Sequence, residues 1–312
     1  MMSIDEDKLQ FIKKFSSSEI ANYKLYNERE LNKYSKFLDN DISLKYIGHI
    51  FKNINLKLYL NLEMMINNNK IEFIDNYNVK ESLCLSSISC DGVSKDVKVC
   101  VPNICNGFDM FALSHELAHG VKTFSKLNNE RKLNYLSFYE ESCSILFGRL
   151  CEEKYIYDFG YDDYVIEFEK VNINNAIKCL KNLQKLLQEY NELENNILNF
   201  NNSKLNSSDF NDKNSWYSLN NNLEQSVNKI YKYISYPIGI ALLNNYLNMD
   251  NQLKKSYLLN ISKFILNTRD FKFEDVLFLY GITSDVDFYI NNFEEYIDRF
   301  NSKKDRNLIL RR

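Results

Sequence analysis

Residues 111–120 read FALSHELAHG. Two of the chain's three histidines, His115 and His119, fall within five residues, and Glu116 directly follows the first. On an α-helix, positions four apart lie one turn apart on the same face, so the spacing predicts two imidazoles aimed at one ion. Glu116 is turned about 100° from His115. That keeps it near such an ion but outside its ligand set, where a carboxylate can take a proton from a bound water. The alternative is an exposed helix that carries these residues by chance. The apolar flanks FDMFAL and LAHG speak against it. They bury the helix, and buried histidines and a buried carboxylate need partners. A Zn2+ ion supplies them.

A catalytic zinc takes three protein ligands and keeps a fourth position for water. No histidine follows His119, which excludes a three-histidine set. The third ligand is expected in SFYEESCSILFGRL (137–150), where Phe138, Ile145, Leu146 and Leu150, with Cys143, predict a second buried helix. Glu140 and Glu141 are adjacent there and point about 100° apart, so only one can face the ion. Glu141 follows His119 by 22 residues, enough for a turn and an antiparallel return helix.

The elements that must hold these residues are mostly helical. Only 8 Gly and 2 Pro occur in 312 residues, too few turn formers for a sandwich or barrel. A net charge of −3 offers no basic surface for nucleic acid. Residues 4–75 read as several helices, with Ser16 to Ser18 as an N-cap region. His49 lies there on an apolar stripe with Ile42, Tyr46 and Ile50, as a packed or surface residue rather than a ligand. The β-prone material is 82–104, with a turn at Asp91-Gly92 and a strand over 97–101 that stops at Pro102, as an edge strand does. Further helices are expected at 108–123, 135–152 and 162–200, then at 223–248, 251–266, 273–280 and 285–301. The Asn- and Ser-rich stretch 195–223 reads as a loop. The chain thus divides into an N-terminal helical region (1–80) and a catalytic region (81–312). The N-terminus lacks a cationic leader with an apolar core, and no run of ~18 apolar residues exists, so neither a signal peptide nor a membrane span is expected. Seven cysteines, none of the nearest pairs in C-x-x-C spacing, read as reduced thiols in the cytoplasm.

Phe138, Glu141 and Ser144 form an F-x-x-E-x-x-S pattern that resembles the thimet oligopeptidase and oligoendopeptidase F family of zinc peptidases. The resemblance implies Glu141, rather than Glu140, as third ligand. KVCVPNICNGFDMFALSHELAHG resembles the family's edge strand, loop and metal-motif helix. It implies that Val97, Val99 and Val101 pair with the backbone of a peptide substrate, a form of strand addition. IYKYISYPIGIALLNNYL (230–247) resembles the family's Tyr-rich segment ending in Y-x-x-G, here Tyr236 and Gly239. That implies Tyr236 as donor to the oxyanion of the tetrahedral intermediate, with Tyr233 and Tyr231 beside the substrate. The stretch 261–289, with a turn at Gly281-Ile282-Thr283, resembles the family's closing segment. The resemblance covers roughly residues 95–300 and implies a mainly α, zincin-like catalytic domain with a small β-sheet beside the HExxH helix, which cuts peptides with Zn2+.

The chain departs from that pattern in three ways. The family's histidine shortly before the tyrosines is missing, so Trp216, Tyr217, Gln225 or a backbone group must take its place. Ala118 stands where the family prefers Gly. The chain is about half the family's usual length, so the family's restriction to short peptides does not carry over. Residues 141–148 also resemble the E-x-x-A-x-x-F-A stretch of regulatory metallopeptidases of the ImmA and IrrE type, although nothing in residues 1–80 reads as a helix-turn-helix. A zinc-bearing helical protein that binds peptides without cutting them is a further alternative, which the intact Glu116 disfavours.

Overall fold

The computed structural model describes residues 4–28, 38–74, 98–127, 140–204, 211–266 and 285–310. Where Gly and Pro are scarce, Asp and Asn caps set the helix starts. Helix α1 (Glu6–Ser16) begins at Asp5, whose carboxylate accepts from Lys8 N at 3.0 Å. Helix α2 (Asn40–Ile54) begins at Asp39, which accepts from Ile42 N at 2.7 Å. Helix α3 (Leu56–Asn67) begins at Asn55, which accepts from Lys57 N at 2.9 Å. Each cap satisfies one of the N–H groups that the first helical turn leaves without a partner.

After α3 the chain enters β1 (Ile71–Ile74), which pairs in parallel with β2 (Val99–Pro102), Ile71 beside Val99 and Phe73 beside Val101. The expectation of helix throughout 4–75 is therefore corrected at its end. The sequence IEFI follows a helix without a Gly or Pro to announce the change, and its strand character comes from its partner. The strand expected at 97–101 lies at 99–102 and takes in Pro102, whose missing N–H faces away from β1. Val97 lies outside the described residues.

Helices α4 (Gly107–Leu127) and α5 (Glu140–Phe159) run antiparallel. Ser114 Oγ donates to Phe147 O at 3.1 Å, and nearer the start of α4 the rings of Phe111 and Tyr155 meet edge to face at 5.2 Å. Helices α6 (Asp163–Lys204) and α7 (Asn211–Asn248) are long and pack on each other. They extend into both ends of the stretch 195–223 expected as a loop, leaving residues 205–210 outside the described set. Asn and Ser are weak helix formers. Here Ile197 and Leu223 are fully buried, and tertiary packing overrides propensity. Helix α8 (Asn251–Leu266) starts on Asp250, which accepts from Gln252 N and Leu253 N, both at 2.9 Å. Helix α9 (Val286–Leu310) completes the described elements. The helix expected at 273–280 and the turn at 281–283 lie outside them.

Helix α7 lies parallel to α5: Ser142 Oγ donates to Ser235 O at 2.8 Å, and Gly239 packs on Ile145, where an added Cβ would come within 3.0 Å. Behind α5 sits a fully buried polar cluster. Arg149 pairs with Glu152 on its own helix and with Glu169 of α6 at 2.9 Å. Tyr161 and Tyr296 of α9 both donate to Glu169, the latter at 3.1 Å. Burial pushes the Glu152 carboxyl well above its ordinary range, against the pull of Arg149. Among the described residues no helix is long and apolar enough to cross a membrane.

Candidate metal centre

Helix α4 is fixed at its start by a reciprocal cap: Asn106 Oδ1 accepts from Asp109 N at 3.1 Å, and Asp109 Oδ2 accepts from Cys105 N at 2.9 Å. Burial raises the Asp109 carboxyl above its ordinary value. Around the helix axis, at about 100° per residue, His115 and His119 are separated by about 40°, Glu116 follows at about 100° and Gly120 at about 140°. Gly120 is where β2 and α3 come in: an added Cβ would stand 2.5 Å from Val99 Cγ2 and 2.7 Å from Met65 Cε. Round the other way, Phe111 and Ser114 face α5. The HExxH side chains therefore lie on the sector of α4 between α5 and β2.

The imidazoles of His115 and His119 lie with centroids 5.0 Å apart and planes at 72°. His119 is 6% exposed and Glu116 5%, while the His115 side chain keeps 18% of its surface. Glu116 Oε1 lies 3.9 Å from His115 Nε2, and its Oε2 is buried without a hydrogen-bond partner. A buried carboxylate oxygen with an unused lone pair, next to two clustered imidazoles, fits a hydrated divalent ion: the imidazoles supply ligands and Oε2 an acceptor for the water.

Glu141 lies in the first turn of α5, on the same face as Gly148 seven residues on. Gly148 touches α4 so closely that an added Cβ would stand 3.4 Å from His115 Cβ and 3.2 Å from Phe111 O. Seven residues span about 10 Å of helix. In an antiparallel pair, position 141 then stands alongside the turn from His119 to Lys122. The side chains of Glu140 and Glu141 lie outside the described residues. Among those described, no three His, Cys, Asp or Glu side chains come together as a metal-holding group.

Tyr236 is half-buried and directly follows Ser235, whose carbonyl is tied to Ser142. Its backbone is thereby level with the first turn of α5. Pro237 within α7 cannot donate to the Tyr233 carbonyl. Tyr233 is half-buried too. Tyr231 is drawn elsewhere: burial pushes its phenol up to about 12, with Asp5 and Tyr190 contributing, which places it towards α1 and α6. Val99 and Val101 point into the core, and Val99 N donates to Lys70 O at 2.8 Å. Their backbone groups thus face β1. The outward-directed groups of β2 belong to Cys100, which offers N–H and C=O, and to Pro102, which offers C=O alone. The side chains of Trp216 and Tyr217 lie outside the described residues. His49 is exposed on α2.

One residue of this face went unremarked in the sequence. Lys122 is 4% exposed and completes the stripe 115, 119, 122. The spacing i, i+4, i+7 was legible, but lysine is ordinarily a surface residue. Comparison of the chain with known protein families, with characterised proteins and with solved structures gives no match.

Proposed function

We propose that this chain is a zinc-dependent metallopeptidase that hydrolyses peptide bonds. The observation that carries the reading is Glu116: a buried carboxylate with one oxygen unshared, one residue from the first of two clustered imidazoles. His115, His119 and Glu141 would hold Zn2+. Once bound, the ion lowers the pKa of a coordinated water and polarises the scissile carbonyl. Glu116 accepts the water proton at Oε2 and passes it to the leaving amine. Tyr236 donates its phenol proton in a hydrogen bond to the developing oxyanion. The substrate backbone adds to the outer edge of β2, where Cys100 can both donate and accept, while Val99 and Val101 hold the strand against α4. Among peptidases, the oligopeptidase-like reading is preferred because Tyr236 and Gly239 fall on the helix that packs along α5.

The test is to load the purified protein with zinc and incubate it with a mixed peptide pool, with and without a chelator, reading products by mass spectrometry. Chelator-sensitive cleavage is expected. Bound zinc with every peptide intact would leave a binding protein instead.

A further inference from the structure

Ser142 and Ser235 use their hydroxyls differently. Within a helix, a serine hydroxyl ordinarily donates to a carbonyl three or four residues back. Ser235 Oγ does so, to Lys232 O at 2.7 Å. Ser142 lies in the first turn of α5, which starts at Glu140, and its Oγ donates across to Ser235 O of α7 at 2.8 Å instead. Both residues are buried. One turn further on, Ile145 packs on the bare Cα of Gly239. The two helices thus meet along 142 and 145 on α5 and along 235 and 239 on α7. Apolar packing is non-directional, whereas a hydrogen bond is directional. The bond from Ser142 therefore adds a fixed height and a fixed roll to the contact.

That height and roll decide where Tyr236 stands. Parallel helices in contact turn in the same sense, so azimuths measured in opposite senses from the contact face the same side of the pair. At about 100° per residue, Tyr236 stands about 80° in one sense from the middle of the α7 contact. Gly148 stands about 90° in the other sense from the middle of the α5 contact. Gly148 is where α4 comes in, against His115 Cβ, so Tyr236 lies on the α4 side of the pair. The levels agree as well. Tyr236 is one residue past Ser235, level with residue 143 of α5. Helix α4 runs antiparallel, so His119 lies four residues back from His115 along α5, near the level of residue 144. The two positions fall within about one helical turn of each other, about 5 Å. We propose that Ser142 is a positioning residue that acts through Tyr236: its hydrogen bond to Ser235 O holds the Tyr236 turn of α7 on the histidine side of α5 and level with His119. The inference rests on the peptidase reading above, from which Tyr236 takes its role.

The test is a double-mutant cycle on zinc-loaded full-length protein, with kcat and KM read on a peptide that the parent cleaves. Ser142→Ala is expected to lower kcat about tenfold, as a displaced catalytic group does, with KM and zinc stoichiometry little changed. In a Tyr236→Phe background the same substitution should change kcat by less than about twofold, because the group it positions is gone. Equal losses in both backgrounds, or no loss in either, overturns the proposal. A second measurement needs neither metal nor turnover. A 3-fluorotyrosine is placed at position 236 alone, and its fluorine resonance is recorded in the metal-free protein. Ser142→Ala should shift or broaden that resonance, and an unchanged resonance overturns the proposal too. Should the alanine variant not fold, Ser142→Cys, whose thiol is a weaker donor, takes its place in both measurements. A parent protein that takes up no zinc, or binds it and cuts no peptide, fails the peptidase reading instead, and the fluorine comparison then decides whether Ser142 positions Tyr236.

Discussion

Gly148 of α5 lies against His115 of α4 so closely that a side chain at 148 would touch the histidine's Cβ at 3.4 Å and the Phe111 carbonyl at 3.2 Å. This contact sets the spacing of the two helices proposed to share one ion. Gly148→Val should push them apart, at a cost of about 1–3 kcal/mol for overpacking. Zinc affinity should fall at least tenfold, measured by competition with a chromophoric chelator. Unchanged affinity would mean that the ion does not bridge α4 and α5.

Replacing Glu116 by Gln should leave zinc stoichiometry unchanged and lower kcat by about 10²–10⁴, the range for loss of a general base. Elemental analysis and peptide hydrolysis on the same sample check both halves. Full activity with zinc bound would remove Glu116 from its assigned role.

His119→Ala and Glu141→Ala should each abolish stoichiometric zinc. Zinc at a hundredfold excess over its Kd should stabilise the native protein by about 2.7 kcal/mol, seen as a higher Tm that the two variants no longer show. A Glu141→Ala protein that binds zinc as tightly as the parent would pass the third-ligand role to another residue.

Tyr236→Phe should reduce kcat by about 10–10³ with KM little changed, as expected when a donor acts only on the developing oxyanion. Tyr231→Phe, on the side of α1 and α6, should leave both parameters as they were. Equal losses from the two substitutions would show that the phenols matter for packing.

The Glu152 carboxyl is held above its ordinary value, near 4.5, by burial. The folded state therefore binds more protons than the unfolded one from that value upward to its own folded value. Its contribution to stability is complete below the unfolded value and is lost as pH rises through the folded one. Glu152→Gln, neutral at every pH, should flatten the fall of Tm with rising pH in that window. Parallel Tm–pH curves for the two proteins would refute it.

How far the sequence could be read depends on how local each feature is. His115, Glu116 and His119 share one helical turn and a half, so their spacing alone puts them on neighbouring faces. The second buried helix was legible from Ile145, Leu146 and Leu150, and its closeness to α4 turns on one missing side chain, at Gly148. What resisted reading depends on distant partners. IEFI becomes a strand by pairing with residues 99–102. Both described ends of the Asn-rich stretch, 195–204 and 211–223, are helical because Ile197 and Leu223 find a core. The outward-directed groups of β2 proved to be those of Cys100 rather than the valines, because register is fixed by the neighbouring strand. Lys122 was passed over because its residue type hid its position.

The bare Cα of Gly120 carries one more consequence. Strand β2 rests where any Cβ would strike Val99 and Met65, so the standoff between strand and motif helix is set by a hydrogen atom. Each of the nineteen alternatives at position 120 would require the side chains of Val99 and Met65 to give way. A single methyl group would be enough to require it.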